Sequence, residues 1–366
     1  MFYYLYPYLI ELFPFANIFR AITARATMAA ITAFALSFIL GPFFIRKLKH
    51  LRVLEKVKKE DCPPLLQSLH KEKEKIPTMG GIFILASIII AIILFGDLTN
   101  RYVHLALLVT VWLGILGFTD DFLKLTGRVS SGITVRAKLF WQITLGLAIG
   151  FYLYFYPVSP EHGRTLALPF SGGGAFLPLG VLYIPFVALV IVATSNAVNL
   201  TDGLDGLAIG CIALATLSYG VVSYVAGHAV FSAHLRIVSI PGAGELSIVS
   251  VAMVGAALGF LWFNAFPAQI FMGNTGSLAL GGLLGIIAVI TKQELLLLII
   301  GGMFVLEALS VIIQVVSYRL RKKRVFLVAP LHHHFELKGW PESKIIVRFW
   351  IIAIIFVVLG LGSLRL

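Results

Sequence analysis

Apolar residues run along this chain in long stretches, with polar residues gathered into short segments between them. Ten stretches are long enough to predict membrane-spanning helices: 26–45, 78–95, 102–119, 138–157, 178–197, 205–226, 247–264, 277–291, 293–317 and 345–363. A helical span needs about 20 mostly apolar residues, because lipid offers no partner to an unpaired backbone group. The ninth stretch is the longest. The eighth is the shortest, since Lys292 and Glu294 crowd its end. Residues 1–25 begin aromatic and apolar with Pro7 and Pro14, and read as an interfacial segment rather than a span.

Composition agrees with that pattern. Hydrophobic residues make up 59% of the 366 and charged residues 13%, whereas a soluble domain carries about 25% charge. So apolar a chain cannot cover a water-facing surface. The expected fold is all-α, a polytopic integral membrane protein with about ten transmembrane helices, forming a single membrane domain over 1–366. Cys62 lies in a basic loop and Cys211 in an apolar run, so no disulfide framework is expected.

A net charge of +12 raises the question of nucleic acid, and its distribution answers against it. With ten spans, the segments 46–77, 120–137, 198–204, 265–276 and 318–344 fall on one side. They hold 20 Lys and Arg residues, against 7 for the other loops and termini. The positive-inside rule makes the richer side cytoplasmic and both termini external. Membrane lipid, not nucleic acid, is the expected surroundings, and the basic loops suit anionic headgroups or phosphate.

Every conspicuous polar cluster falls on that same side: Lys73 to Gly81, Asp120-Asp121, Asn196 to Asp205, Asn264 to Ser277, and His332-His333-His334-Phe335-Glu336. Five segments converging on one face predict one site at the cytoplasmic membrane surface. Asp120 and Asp121 are adjacent carboxylates at a helix end, and their repulsion calls for a cation such as Mg²⁺ or Lys124. Asn199, Asp202 and Asp205 are spaced by three, so a helical turn would bring them to one face. With Asn196 and the neighbouring glycines they suit a metal, a ribose or a nucleobase edge. Gly273 to Ser277 precedes a helix, where N-H groups favour anions. Three histidines in a row cannot all point one way. Zinc is disfavoured, because no Cys or His partner cluster stands elsewhere. Glu307 lies inside the ninth span, where a carboxylate implies either function or a helix–helix hydrogen bond. An oxygen-rich, thiol-free site with several carboxylates suits Mg²⁺ and phosphoryl transfer to or from a membrane-bound substrate.

From about residue 30 onward the chain resembles the phospho-N-acetylmuramoyl-pentapeptide transferase family, within the polyprenyl-phosphate N-acetylhexosamine-1-phosphate transferases. The resemblance rests on Pro77-Thr-Met-Gly-Gly81, Asp120-Asp121, Ser195 to Gly206, Leu261-Trp-Phe-Asn264, Phe271-Met-Gly-Asn-Thr-Gly-Ser277 and Ala329 to Glu336. It implies ten spans, a cytoplasmic Mg²⁺ site, usually a homodimer, and a place in the bacterial inner membrane. The implied reaction moves phospho-MurNAc-pentapeptide from UDP-MurNAc-pentapeptide to undecaprenyl phosphate, giving lipid I and UMP. Carried over by position, Lys73, Thr78, Asn199, Asp202 and Asp205 would contact the nucleotide or its diphosphate. Asp120 would serve as base to the acceptor phosphate, with Asp121 as a neighbouring acid and His333 as a further catalytic candidate. Lys124, Asn196, Asn264, Ser277, Gln314, His332 and His334 would complete the substrate cleft. Asp120, Asp121 and residue 274 would hold the metal. At that last position the family pattern has Asp and this chain has Asn274. An amide oxygen still ligates but lacks formal charge, a gross loss on the order of several kcal/mol against a dication, partly offset by lower desolvation. Weaker Mg²⁺ binding and slower turnover are therefore expected. Two rivals are weighed: a related transferase using UDP-GlcNAc, and a membrane transporter, which would need polar groups near mid-bilayer.

Overall fold

The computed structural model describes residues 1–9, 14–51, 53, 73, 75–126, 132–170 and 175–365. Arg52, Lys56, Lys58, Lys59, Cys62, Lys71, Arg128 and the Ser171–Gly174 stretch lie outside the described residues. The helices in chain order are α1 (Phe2–Leu9), α2 (Ile22–His50), α3 (Gly81–Phe95), α4 (Arg101–Thr126), α5 (Val135–Phe155), α6 (Tyr183–Thr201), α7 (Leu207–Ala226) and α8 (Ala229–His234). They continue with α9 (Glu245–Asn264), α10 (Gly273–Ile290), α11 (Leu296–Ile300), α12 (Gly302–Arg321), α13 (Leu331–Leu337) and α14 (Glu342–Gly362). A two-stranded antiparallel hairpin, β1 (Thr165–Ala167) with β2 (Phe176–Pro178), is the only sheet among the described residues.

Nine of the described helices are long and apolar enough to cross a membrane, and α3 is a shorter apolar helix. The all-α polytopic expectation holds. Residues 1–25 contribute the short α1 and a 3₁₀ turn over Pro14–Arg20, after which α2 has already begun at Ile22. Two details of the expected spans need correction. At 15 residues α3 is shorter than the nine span-length helices, whereas α10 runs for 18 because it starts at the Gly-Asn-Thr-Gly-Ser motif. The expected continuous ninth span over 293–317 is broken into α11 and α12 at Gly301. Gly301 and Gly302 stand together there, and glycine weakens a helix by roughly 1 kcal/mol relative to Ala. Gly302 is required by packing as well: a Cβ would lie 2.6 Å from the Phe356 ring.

Two helices form the centre. Every residue of α10 from Thr275 to Ile290 is buried, and α10 packs against α3, α4, α6 and α7. The helix α9 packs against α2, α3 and α7. Small residues make such close approach possible, since van der Waals packing is the main attraction between helices in lipid. A Cβ on Gly117 would sit 2.2 Å from the Asn274 carbonyl oxygen, and one on Gly81 would sit 2.1 Å from the Gly276 nitrogen. These contacts pin α3 and α4 to the start of α10.

The end opposite the polar motifs is closed by its own ion pairs. Arg25 is 1% exposed and makes two hydrogen bonds to Glu245, at 2.9 and 2.6 Å. The same guanidinium donates to the Phe95 carbonyl, while Glu245 also accepts from the Asp97 backbone N-H. Lys292 and Glu294, expected merely to end a span, form a fully buried pair at 2.9 Å in the turn after α10. The Lys292 ammonium also lies 4.3 Å from the centre of the Tyr183 ring.

Candidate functional site

The site is built where the end of α4 meets the start of α10. The helix α4 does not stop at residue 119 but continues through both aspartates to Thr126. Asp121 accepts from the Asn274 N-H at 3.2 Å, the Thr275 N-H at 2.9 Å and the Thr275 hydroxyl at 2.8 Å. It thus caps the positive end of a neighbouring helix, which places a carboxylate where the helix dipole favours it. Gly273 adopts φ +74, and a Cβ there would come within 2.8 Å of the Asp121 carboxylate. Glycine is needed for both reasons.

Asp120 points the other way. Its Oδ1 accepts from the Ile133 N-H at 2.8 Å. Its Oδ2 takes the Lys124 ammonium at 2.6 Å and also the side-chain amide of Asn274. Asn274 Oδ1 accepts from Asn199 Nδ2 at 2.5 Å, and the same Nδ2 reaches the Ser277 hydroxyl at 2.8 Å. Asp120, Asp121, Lys124, Asn199, Asn274 and Ser277 are therefore one connected network across α4, α6 and α10. The expected Mg²⁺ donor set is two carboxylates and one amide oxygen, all hard ligands of the kind that ion takes. No group of three His, Cys, Asp or Glu side chains with metal-holding geometry occurs among the described residues. A cation at Asp120 would compete with the Lys124 ammonium and with the Asn274 amide.

A second network lies next to the first. The Pro77–Gly81 segment runs beside Phe271–Met272: Phe271 N-H donates to Pro77 O, Gly80 N-H to Phe271 O and Gly81 N-H to Met272 O, each at 2.8 Å. This pairing brings Thr78 next to Gly273, whose missing Cβ would lie 3.2 Å from the Thr78 hydroxyl oxygen. Lys73 donates to Asp205 Oδ1 at 2.8 Å and to Glu342 Oε1 at 2.6 Å. Burial, the largest single influence on the Lys73 ammonium, pulls its pKa down. The Glu342 and Asp205 carboxylates outweigh it and hold the pKa above the ordinary lysine value. Asp205 follows the end of α6 in a tight turn in which Gly206 takes φ +78. Asn264 fixes that turn, accepting from the Gly206 N-H at 3.0 Å and donating to the Ile270 carbonyl at 2.8 Å. Asp202, half-buried, ends α6 on the same turn.

The three histidines separate, as a helical run must make them. His332 is fully buried, with Nδ1 3.2 Å from Glu307 Oε2. Its ring lies against the turn: a Cβ on Gly203 would fall 2.2 Å from its Nε2. The Nδ1 contact is not aligned as a hydrogen bond. Glu307 instead accepts from the Leu331 N-H at 2.8 Å and so anchors the start of α13. His333 pairs with Glu336 at 2.6 Å. His334 accepts the Leu327 N-H at Nδ1, 3.1 Å away, and burial together with the Lys338 charge pushes its pKa below 6.5. Gln314 binds the same loop through the Val325 and Phe326 N-H groups and the Phe326 carbonyl.

Asn196 is the expected site residue that points away from these networks. Its amide donates to Gln142 Oε1 at 2.9 Å and to the Val192 carbonyl, joining α6 to α5. Sequence reasoning missed Glu342, Thr275 and the Ile133 N-H. Glu342 carries one local signal, an acidic residue directly after Pro341 at a helix start.

The phospho-N-acetylmuramoyl-pentapeptide-transferase signature 1 matches residues 73–85, which carry Lys73 and Thr78. The glycosyl transferase family 4 model matches residues 103–292, from α4 through α10. A phospho-N-acetylmuramoyl-pentapeptide-transferase of Desulforapulum autotrophicum is 51% identical, over 100% of this chain and 99% of its own. The chain belongs to the phospho-N-acetylmuramoyl-pentapeptide-transferase family. Family proteins of the same name from Pelobacter propionicus and Oleidesulfovibrio alaskensis are 51% and 46% identical, over 96% and 100% of this chain and 95% and 99% of theirs. With nine helices long and apolar enough to cross a membrane among the described residues, the chain is a multi-pass membrane protein.

Proposed function

We propose that this chain transfers phospho-MurNAc-pentapeptide from UDP-MurNAc-pentapeptide to undecaprenyl phosphate, giving lipid I and UMP. The observation that carries the proposal is the joining of Asp120, Asp121, Asn199 and Asn274 into one network beside the Lys73–Asp205 pair, in a chain of this family. An oxygen of the lipid phosphate attacks the β-phosphorus of the nucleotide sugar. The bond from that phosphorus to the bridging oxygen breaks, and UMP leaves with the electron pair. Phosphoryl transfer rests mainly on positioning and charge, so no covalent enzyme intermediate is required.

Lys124, its side chain 38% exposed at the edge of the network, draws the acceptor phosphate toward Asp120. Asp120 takes the proton of a monoprotonated acceptor. Lys73 has three N-H donors and uses two on carboxylates, which leaves one for a diphosphate oxygen. Mg²⁺ suits the oxygen ligands of Asp120, Asp121 and Asn274 and, when bound, would offset the diphosphate charge. The excess of basic residues on the loops of this end supports a cytoplasmic site in the bacterial inner membrane, with external termini. The family resemblance supports a homodimer.

The test is lipid I formation by the chain reconstituted with undecaprenyl phosphate, offered UDP-MurNAc-pentapeptide or UDP-GlcNAc. Product from the muramoyl donor alone is expected. Turnover of UDP-GlcNAc alone would assign the chain to the related hexosamine branch. Blue-native electrophoresis and protease protection of tagged termini test the dimer and the topology.

A further inference from the structure

Glu342 opens α14, 269 residues from Lys73 and 137 from Asp205, yet its Oε1 touches both. It accepts from the Lys73 ammonium at 2.6 Å and from the backbone N-H of Asp205 at 2.9 Å. Asp205 is itself tied on both oxygens, to Lys73 at 2.8 Å and to the Ala268 N-H at 2.9 Å. The side chains of Lys73, Asp205 and Glu342 are 13%, 3% and 12% exposed. One carboxylate oxygen therefore fixes both the direction of the lysine and the backbone of the turn that carries its other partner. Lys73 has a long stem that loses rotamer freedom when held. Two anionic acceptors define its third N-H direction, and a single acceptor does not. The first turn of a helix also favours a carboxylate at this position.

We propose that Glu342 is a positioning residue for the nucleotide-diphosphate end of the site, acting through Lys73 and the Asp205 turn. The inference rests on the function proposed above. The Glu342→Gln variant keeps an oxygen for the Asp205 N-H but removes the charge that holds the ammonium. Glu342→Ala removes both.

The experiment measures UDP affinity by calorimetry in nanodiscs for the parent chain, Glu342→Gln, Lys73→Gln and the double variant. Amide exchange over residues 202–206 is followed in the parent and in Glu342→Ala. We expect Glu342→Gln to weaken UDP binding about tenfold when Lys73 is present and less than twofold in the Lys73→Gln background, with the melting temperature unchanged. Residues whose effects pass through a shared partner are non-additive in this way, and a general structural loss is not. Equal losses in both backgrounds, or no loss in either, would overturn the proposal. Should the parent bind no UDP, the nucleotide reading itself falls, and the exchange data then decide. Faster exchange at 202–206 in Glu342→Ala keeps Glu342 as the holder of the turn, and unchanged exchange removes it.

Discussion

The side-chain amide of Asn274 donates to Asp120 while its carbonyl oxygen accepts from Asn199. An aspartate at 274 could not make the first bond, because two carboxylates would then face each other with no hydrogen between them. Such a pair needs a cation or a shared proton. In this chain the amide supplies internally, together with Lys124, part of the compensation that an ion would otherwise give.

Asn274→Asp should bind Mn²⁺, a spectroscopic substitute for Mg²⁺, at least tenfold more tightly than the parent, read by electron paramagnetic resonance. Its melting temperature should fall in chelator and recover with metal, whereas that of the parent should respond little. Turnover at saturating Mg²⁺ should rise by tenfold or more. Equal Mn²⁺ affinity in the two proteins would remove residue 274 from the metal site.

Asp121 does a different job from Asp120, although the two are adjacent. It takes three hydrogens from the start of α10. Asp121→Ala leaves buried donors without an acceptor, at a cost of about 1–3 kcal/mol for each unsatisfied group. The variant should lose thermal stability as well as activity. Asp120→Ala also frees three donors, but they belong to half-buried residues and include a lysine that can reach water, so it should lose activity with a smaller change in melting temperature. Thermal unfolding in detergent, measured beside turnover, separates the two.

How much of this arrangement is legible in the sequence depends on the range of the interactions. Spans are local, and apolar runs give them to within a few residues. The continuation of α4 through Asp120 to Thr126 is not legible by hydropathy, because the helix goes on into polar residues whose partners, Ile133 and α10, are distant in sequence. The break at Gly301 is marked by two glycines, yet what requires a glycine at 302 is Phe356, more than fifty residues later. The histidine run is conspicuous as composition. Its division into a buried ring against Gly203, an ion pair with Glu336 and an acceptor for Leu327 follows only from the packing of α13. Asn196 stands three residues before Asn199, the same spacing as Asn199 to Asp202, and what takes it to α5 is Gln142, more than fifty residues earlier in the chain.

His334 makes the loop before α13 sensitive to pH. Its Nδ1 accepts the Leu327 N-H, so that nitrogen must be unprotonated. Burial and Lys338 depress its pKa in the folded protein below 6.5. The opened state then binds the proton more readily, and stability rises with pH in this range. The contribution is complete above pH 6.5 and declines as pH falls through 6.5 toward the depressed folded value. Exchange protection at Leu327, corrected for intrinsic rates, should therefore weaken between pH 7 and pH 5. His334→Phe should abolish the pH dependence and leave Leu327 weakly protected throughout. A dependence that survives the substitution would place the titrating group elsewhere.

Close packing of α4 against the start of α10 sets the position of both aspartates. A methyl group on Gly117 would stand 2.2 Å from the Asn274 carbonyl oxygen and 2.7 Å from the Thr275 α-carbon. Both neighbours are backbone, so neither can turn aside, and α4 must move from α10. Overpacking of this kind costs about 1–3 kcal/mol. The displacement would also carry Asp121 away from the Thr275 N-H and Asp120 away from Asn274. Gly117→Ala should therefore lower the melting temperature and cut turnover by tenfold or more, although residue 117 contacts no substrate. Gly220→Ala is the control. It lies in α7, where a Cβ would meet only side-chain carbons at 3.4–3.5 Å, ordinary contact distances. That variant should keep both stability and turnover near the parent values. If Gly117→Ala behaves like it, the helix junction is more compliant than its backbone contacts imply, and the geometry of the aspartates must be set from the loops instead.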